Sequence, residues 1–191
     1  MKNNLTEKDI ENLNKWAEKY DIERLKIKDK EKIFNLEELY INSVSLTELP
    51  KEIGILTNLK ILDIDYYNLN ELPKEIFNLI NLEELYIRNN LTELPKEIGN
   101  LTNLKSLICS FNLNELPKEI FNLINLEKLS IDCNNLEISP DGIEKLINLE
   151  NLYIDINIIN ENFNFKSLPI EEIGKLNNLK EFDISIRKEE K

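Results

Sequence analysis

Two hydrophobic patterns alternate along this chain. The first is a short run with apolar side chains at its first, fourth and sixth positions: "LEELYI" from Leu36, "LKILDI" from Leu59, "LEELYI" from Leu82, "LKSLIC" from Leu104, "LEKLSI" from Leu126, "LENLYI" from Leu149 and "LKEFDI" from Leu179. Positions four and six share one face of an extended chain, so each run predicts a strand with a buried side. The opening leucines stand 22 or 23 residues apart until a last interval of 30. The second pattern fills the intervals: "LTELPKEIGIL", "LNELPKEIFNL", "LTELPKEIGNL", "LNELPKEIFNL", then the looser "LEISPDGIEKL" and "KSLPIEEIGKL". Each of these places a proline where a short helical turn can begin, the position at which its missing N–H costs least.

A period this regular means that one supersecondary unit is stacked on the next. A single unit is too small to offset the entropy of ordering itself, so the array must gain its stability from contacts between successive units. The segments resemble the leucine-rich repeat family, in the intracellular-type class whose units read LxxLxLxxNxLxxLPxxIxxL, over about residues 22–187. The resemblance implies an α/β fold: a right-handed solenoid with a parallel sheet on its concave face and short helices or 3₁₀ turns on its convex face. It also implies an asparagine ladder, for which Asn90, Asn112, Asn134 and Asn157 are in place, while Val44, Tyr67 and Arg187 stand at the matching position of other units.

The ends of a stack need covers. "LTEKDIENLNKWAEKY" spaces Leu5, Ile10, Leu13, Trp16, Ala17 and Tyr20 as one helical face, with Thr6 and Asp9 forming a capping box. Residues 1–21 are therefore expected to form an amphipathic capping helix and residues 22–191 the solenoid, its first strand a truncated one through Ile22, Leu25 and Ile27. At the other end "ISIRKEEK" carries charge that discourages edge pairing but no apolar lid, so a partner, a second copy or charge alone must guard that edge. The long sixth interval contains Phe163 and Phe165, which either contact a partner or pack on the last repeat.

Stretches 70–87, "NELPKEIFNLINLEELYI", and 114–131, "NELPKEIFNLINLEKLSI", differ only at Glu84/Lys128 and Tyr86/Ser130. These are the third and fifth positions of a unit, both outside the inward set. Counting from the first leucine, the second, third, fifth, seventh and eighth positions are expected to point outward. Tyr40, Asp63, Tyr86, Ile108 and Tyr153 occupy the fifth column, and Tyr66, Phe111 and Cys133 the eighth. Tyr66, Tyr86, Ile108 and Phe111 are expected to cluster at mid-sheet, because grouped aromatics mark interface centres. Acids, among them Asp63, Asp132 and Asp155, outnumber bases such as Arg88 on these columns. The site expected is thus partner-binding, through Tyr40, Asp63, Tyr66, Tyr86, Arg88, Ile108, Phe111, Asp132, Tyr153 and Asp155. Its complement is a protein or peptide with a basic, partly apolar patch.

Charge narrows the partners further. With 36 acidic against 24 basic residues the net charge is −12 and the pI about 4.7, which repels nucleic acid and anionic membranes. The N-terminus lacks the apolar core of a signal peptide, so a cytoplasmic location is expected, with export by a route lacking a recognisable leader as the alternative. Cys109 sits in a core position and Cys133 in an outward one. The sequence contains no histidine to activate a thiol, and only four glycines, with no phosphate loop among them. No cofactor or metal is expected. The expectation is a non-catalytic interaction module; a secreted or injected bacterial effector acting on a host protein uses the same surface, and a hydrolase or ubiquitin-transfer enzyme is the lesser alternative.

Overall fold

A computed structural model of the chain describes residues 6–43, 45–65, 69, 71–88, 91–110, 116–134, 142–158 and 168–188. Seven strands, β1 (Glu38–Ile41), β2 (Ile61–Asp65), β3 (Glu84–Arg88), β4 (Ser106–Ser110), β5 (Lys128–Asn134), β6 (Asn151–Ile158) and β7 (Glu181–Lys188), form one parallel sheet in chain order. The repeat sets the register directly. Leu39, Leu62, Leu85, Leu107, Leu129 and Leu152 are successive partners, as are Ile41, Ile64, Ile87, Cys109, Ile131 and Ile154. None of the twelve is more than 2% exposed.

Behind the sheet the chain returns through 3₁₀ helices at Lys51–Ile55, Lys74–Asn78, Lys96–Asn100 and Lys118–Asn122, each directly after its proline. Ile143–Lys145 is a shorter 3₁₀ turn, and Ile170–Ile173 is a single α-turn, labelled α3 below. Ile53, Ile76, Ile98 and Ile120 of these turns, none more than 1% exposed, close the core from behind. The units alternate: Phe77 and Phe121 are buried where Gly54 and Gly99 stand in the others. A Cβ on Gly54 would lie 2.2 Å from the Glu75 carbonyl oxygen, so the next turn approaches too closely for any side chain.

At the N-terminal end, helix α1 (Glu7–Tyr20) starts on the expected capping box of Thr6 and Asp9. It buries Ile10, Leu13, Trp16, Ala17 and Tyr20, and is pinned by Trp16 Nε1, which donates to the Glu48 carbonyl at 2.9 Å. The truncated strand expected at Ile22–Ile27 does not form. Glu23–Leu25 is a 3₁₀ turn that buries Leu25, and Asp29 then caps a short helix α2 (Lys30–Phe34) by accepting from Glu31 N and Lys32 N. The local capping chemistry of Asp29 wins over an extended run with no upstream strand to pair with.

Two further expectations are corrected. The eighth position is not outward where the strand is long: β5 and β6 continue past the sixth position, alternation persists, and Cys133 and Ile156 are carried into the core at 1% and 0% exposure. For the same reason the ninth position faces outward, so Asn157 lies on the sheet surface and donates to Asp132 at 3.3 Å instead of to a main-chain ladder. A main-chain ladder does exist, one corner earlier. The asparagine preceding each first leucine donates to a carbonyl of the previous unit: Asn58 to Phe34, Asn81 to Thr57, Asn103 to Ile80, Asn125 to Thr102, Asn148 to Ile124 and Asn178 to Ile147, at 2.7–3.1 Å.

Candidate interaction surface

Core packing fixes even the outward side chains, because a strand that buries its fourth and sixth residues must present its third, fifth and seventh. Register then lines these up in columns. The third-position column runs Glu38, Ile61, Glu84, Ser106, Lys128, Asn151, Glu181, and the fifth runs Tyr40, Asp63, Tyr86, Ile108, Ser130, Tyr153, Asp183. The two differences between the near-identical stretches 70–87 and 114–131 therefore fall on one face, in adjacent columns.

On this face Tyr40, Asp63, Tyr86 and Ile108 occupy four consecutive strands. Tyr40 is 47% exposed, whereas Tyr86 and Ile108 are half-buried side by side. Arg88 stands 5.8 Å over the Tyr86 ring and reaches Asp63 at 3.4 Å and Asp65 at 3.6 Å, bridging two strands. Tyr153 lies apart, beyond Ser130, with Lys128 at 5.9 Å over its ring. Between Tyr86 and Tyr153 are three strand spacings, roughly 14 Å. Between them this face carries Ser106, Ile108 and Ser110 on β4 and Lys128, Ser130 and Asp132 on β5. Tyr66 and Phe111 lie outside the described residues, as do Phe163 and Phe165.

The tyrosine hydroxyls are not idle. Tyr40 donates to Glu38 at 3.3 Å, Tyr86 to Glu84 and Tyr153 to Glu181. Desolvation first, then the Glu84 hydrogen bond, raises the Tyr86 phenol above its ordinary value; for Tyr153 the Glu181 hydrogen bond leads. These carboxylate anchors were absent from the expected site, although Glu-x-Tyr, with both side chains on one strand face, is spelled out at Glu38/Tyr40 and Glu84/Tyr86.

Asp132 and Asp155 are direct register partners on β5 and β6. Partial desolvation first, and the Asp155 charge second, raise the Asp132 carboxyl above its ordinary range against the pull of Arg187. Asp155 pairs with Arg187 through Oδ2, while its enclosed Oδ1 has no hydrogen-bond partner among the described residues. A separate groove of about 940 Å³ follows the N-terminal edge of the sheet, lined by the ladder asparagines and the second-position charges. Three pairs of those charges join across units, Lys60 with Glu37 at 2.8 Å and Lys105 with Glu83 and Lys180 with Glu150 at 2.7 Å.

Seven parallel strands in strict register, returned by 3₁₀ turns and leaving one sheet face open, define a repeat solenoid. The chain belongs to the leucine-rich repeat family: the leucine-rich repeat region signature matches residues 11–107 and 88–191. It is similar to a leucine-rich repeat protein of Leptospira interrogans, 35% identical with a TM-score of 0.63, over 80% of this chain and 38% of that one. Two more distant likenesses concern the fold alone. The internalin InlF of Listeria monocytogenes is 22% identical with a TM-score of 0.61, over 85% of this chain and 46% of that one. The Arabidopsis receptor kinase HAESA, solved in complex with the peptide hormone IDA and the co-receptor SERK1, is 23% identical with a TM-score of 0.62, over 82% and 28%. This chain thus spans less than half the length of each. No curated protein matches the sequence. Among the described residues no helix is long and apolar enough to cross a membrane.

Proposed function

We propose that this chain is a non-catalytic interaction module that binds a protein or peptide on the concave face of its sheet. One observation carries the reading: where two eighteen-residue stretches are otherwise identical, both substitutions fall on the open face, in its third- and fifth-position columns. Residues that pack are held alike by the lattice, while those that face outward vary, as recognition requires.

Tyr86 and Ile108 form the apolar centre of the proposed contact, with Tyr40 and Tyr153 as flanking anchors, since aromatic side chains in a partly desolvated setting contribute most of an interface's energy. Asp63 and Arg88 are already paired and orient the Tyr86 ring. Asp132 and Asp155 supply adjacent negative charge at the far side, which suits an incoming cation. The partner is therefore a basic, partly apolar peptide or protein surface. Tyr66 and Phe111 share the eighth column with the buried Cys133 and Ile156, and the proposal does not rest on them.

Affinity capture with the 191-residue chain, followed by calorimetry on the partner obtained, tests the reading. Tyr86→Ala and Ile108→Asp are expected to weaken binding at least tenfold, while Lys118→Ala, in a 3₁₀ helix behind the sheet, leaves it unchanged. Affinity indifferent to both concave-face variants removes the proposed site.

A further inference from the structure

The last strand is an open edge of unusual make-up. β7 is eight residues long and pairs only with β6 among the described strands. Glu181 N donates to the Glu150 carbonyl, so Glu181, Asp183, Ser185 and Arg187 direct their backbone polar groups toward β6. Phe182, Ile184, Ile186 and Lys188 then direct theirs away from the sheet, where no strand among the described residues receives them. The same three apolar residues continue the core rows of Leu152, Ile154 and Ile156, yet Phe182 is 46% exposed and Ile184 and Ile186 are half-exposed. Unpaired backbone groups and uncovered core coincide on one strand, which is a template for another strand.

The sequence of β7 is complementary to itself when reversed. Consider a two-fold axis through Ser185, perpendicular to the sheet. Residues facing the same side then come opposite one another, as an antiparallel pair demands. Ile184 meets Ile186 twice, and Phe182 meets the aliphatic stem of Lys188. On the concave side Asp183 meets Arg187, again twice. Within residues 182–188 no like charges are opposed, and only at the outer ends does Glu181 come opposite Glu189. Shifting the register by one pair sets Lys180 against Lys188 and offers Arg187 to Glu181 in place of Asp183, but Glu181 already accepts from the Tyr153 hydroxyl of its own chain. Asp183 is the acid suited to the contact: its carboxylate accepts from Ser185 Oγ at 2.9 Å, and no cation of its own chain pairs with it among the described residues.

We propose that two copies of this chain pair antiparallel through β7, with Asp183 of each facing Arg187 of the other, joining both sheets into one and sealing the C-terminal end of both cores. The inference is independent of any ligand on the concave face.

Sedimentation equilibrium of the 191-residue chain is expected to show a species of twice 22.5 kDa. Asp183→Arg, which touches no ion pair of its own chain, opposes like charges at both ends of the axis and is expected to weaken association roughly tenfold or more. Arg187→Asp opposes like charges in the same way, and it also breaks the Arg187–Asp155 pair of its own chain. An equimolar mixture of the two variants restores opposite charges and is expected to dimerise as the parent does, with circular dichroism showing each variant folded beforehand. A parent monomeric at all concentrations overturns the proposal. So do folded single variants that associate as tightly as the parent, or a mixture that stays monomeric.

Discussion

Asn103 of one unit donates its side-chain amide to the main-chain carbonyl of Ile80 in the unit before it, at 2.8 Å. The bond spans the corner where the chain turns into the sheet, and it recurs at every junction from Asn58 to Asn178. It is a stacking device: it serves a carbonyl that no strand or turn reaches. Asn103→Ala is expected to lower stability by about 1 kcal/mol, the net worth of one such hydrogen bond. Urea unfolding measures it, and an unchanged midpoint would show that water serves the carbonyl equally well.

Gly54 faces the main-chain carbonyl of Glu75, and backbone yields less than a side chain. Gly54→Ala is therefore expected to push two units apart and cost about 1–3 kcal/mol, the usual range for overpacking. Phe77, buried at the equivalent place one unit later, shows that the site itself is not closed to side chains. The alternation of small and large residues sets which neighbour gives way. A thermal midpoint for Gly54→Ala equal to that of the parent contradicts the close approach.

Much of this was legible in the sequence, because a repeat states each packing rule several times over. The inward trio of each unit, the proline-led turns and the α1 cap all follow from side-chain period and capping chemistry. The column of outward residues at Tyr86, Ile108 and Ser130 follows equally, since the register of a stack is its sequence alignment. The eighth position departs from the outward expectation because strand length is set by pairing with neighbours, and β5 and β6 hold each other extended past the point where a consensus unit turns. The signal was present in the apolar Cys133 and Ile156. The asparagine ladder was visible too: Asn35, Asn58, Asn81, Asn103, Asn125, Asn148 and Asn178 precede every first leucine. What could not be read is the fate of residues 22–34, where no repeat instructs the chain and Asp29 decides locally.

Both thiols are enclosed, which makes them inert. Burial, with lesser repulsion from Asp132 and Asp155, pushes Cys133 up to about 12, and burial raises Cys109 as well. Native chain at pH 8 is expected to react with a thiol reagent orders of magnitude more slowly than chain unfolded in urea. The linkage has a definite sign: a folded value raised above the ordinary one near 9 gives stability that is complete below pH 9 and lost as pH rises toward 12. Rapid labelling of Cys133 in the folded state would return it to the surface.

Asp132 opposes Asp155 across β5 and β6, and the opposition costs stability at neutral pH. Because its carboxyl is raised above the ordinary 3.8, this group favours the fold most when protonated, and the benefit is lost as pH rises through the raised value. Asp132→Asn is expected to stabilise the chain at pH 7 by about 0.2–1 kcal/mol, the scale of a like-charge cross-strand pair. The same change removes a charge from the proposed binding face, so affinity for a basic partner is expected to fall severalfold while the unfolding midpoint rises. Stability and binding moving in opposite directions is the mark of a charge held for a partner and not for the fold. A destabilised Asp132→Asn would instead assign the carboxylate to the fold, through the bond it accepts from Asn157.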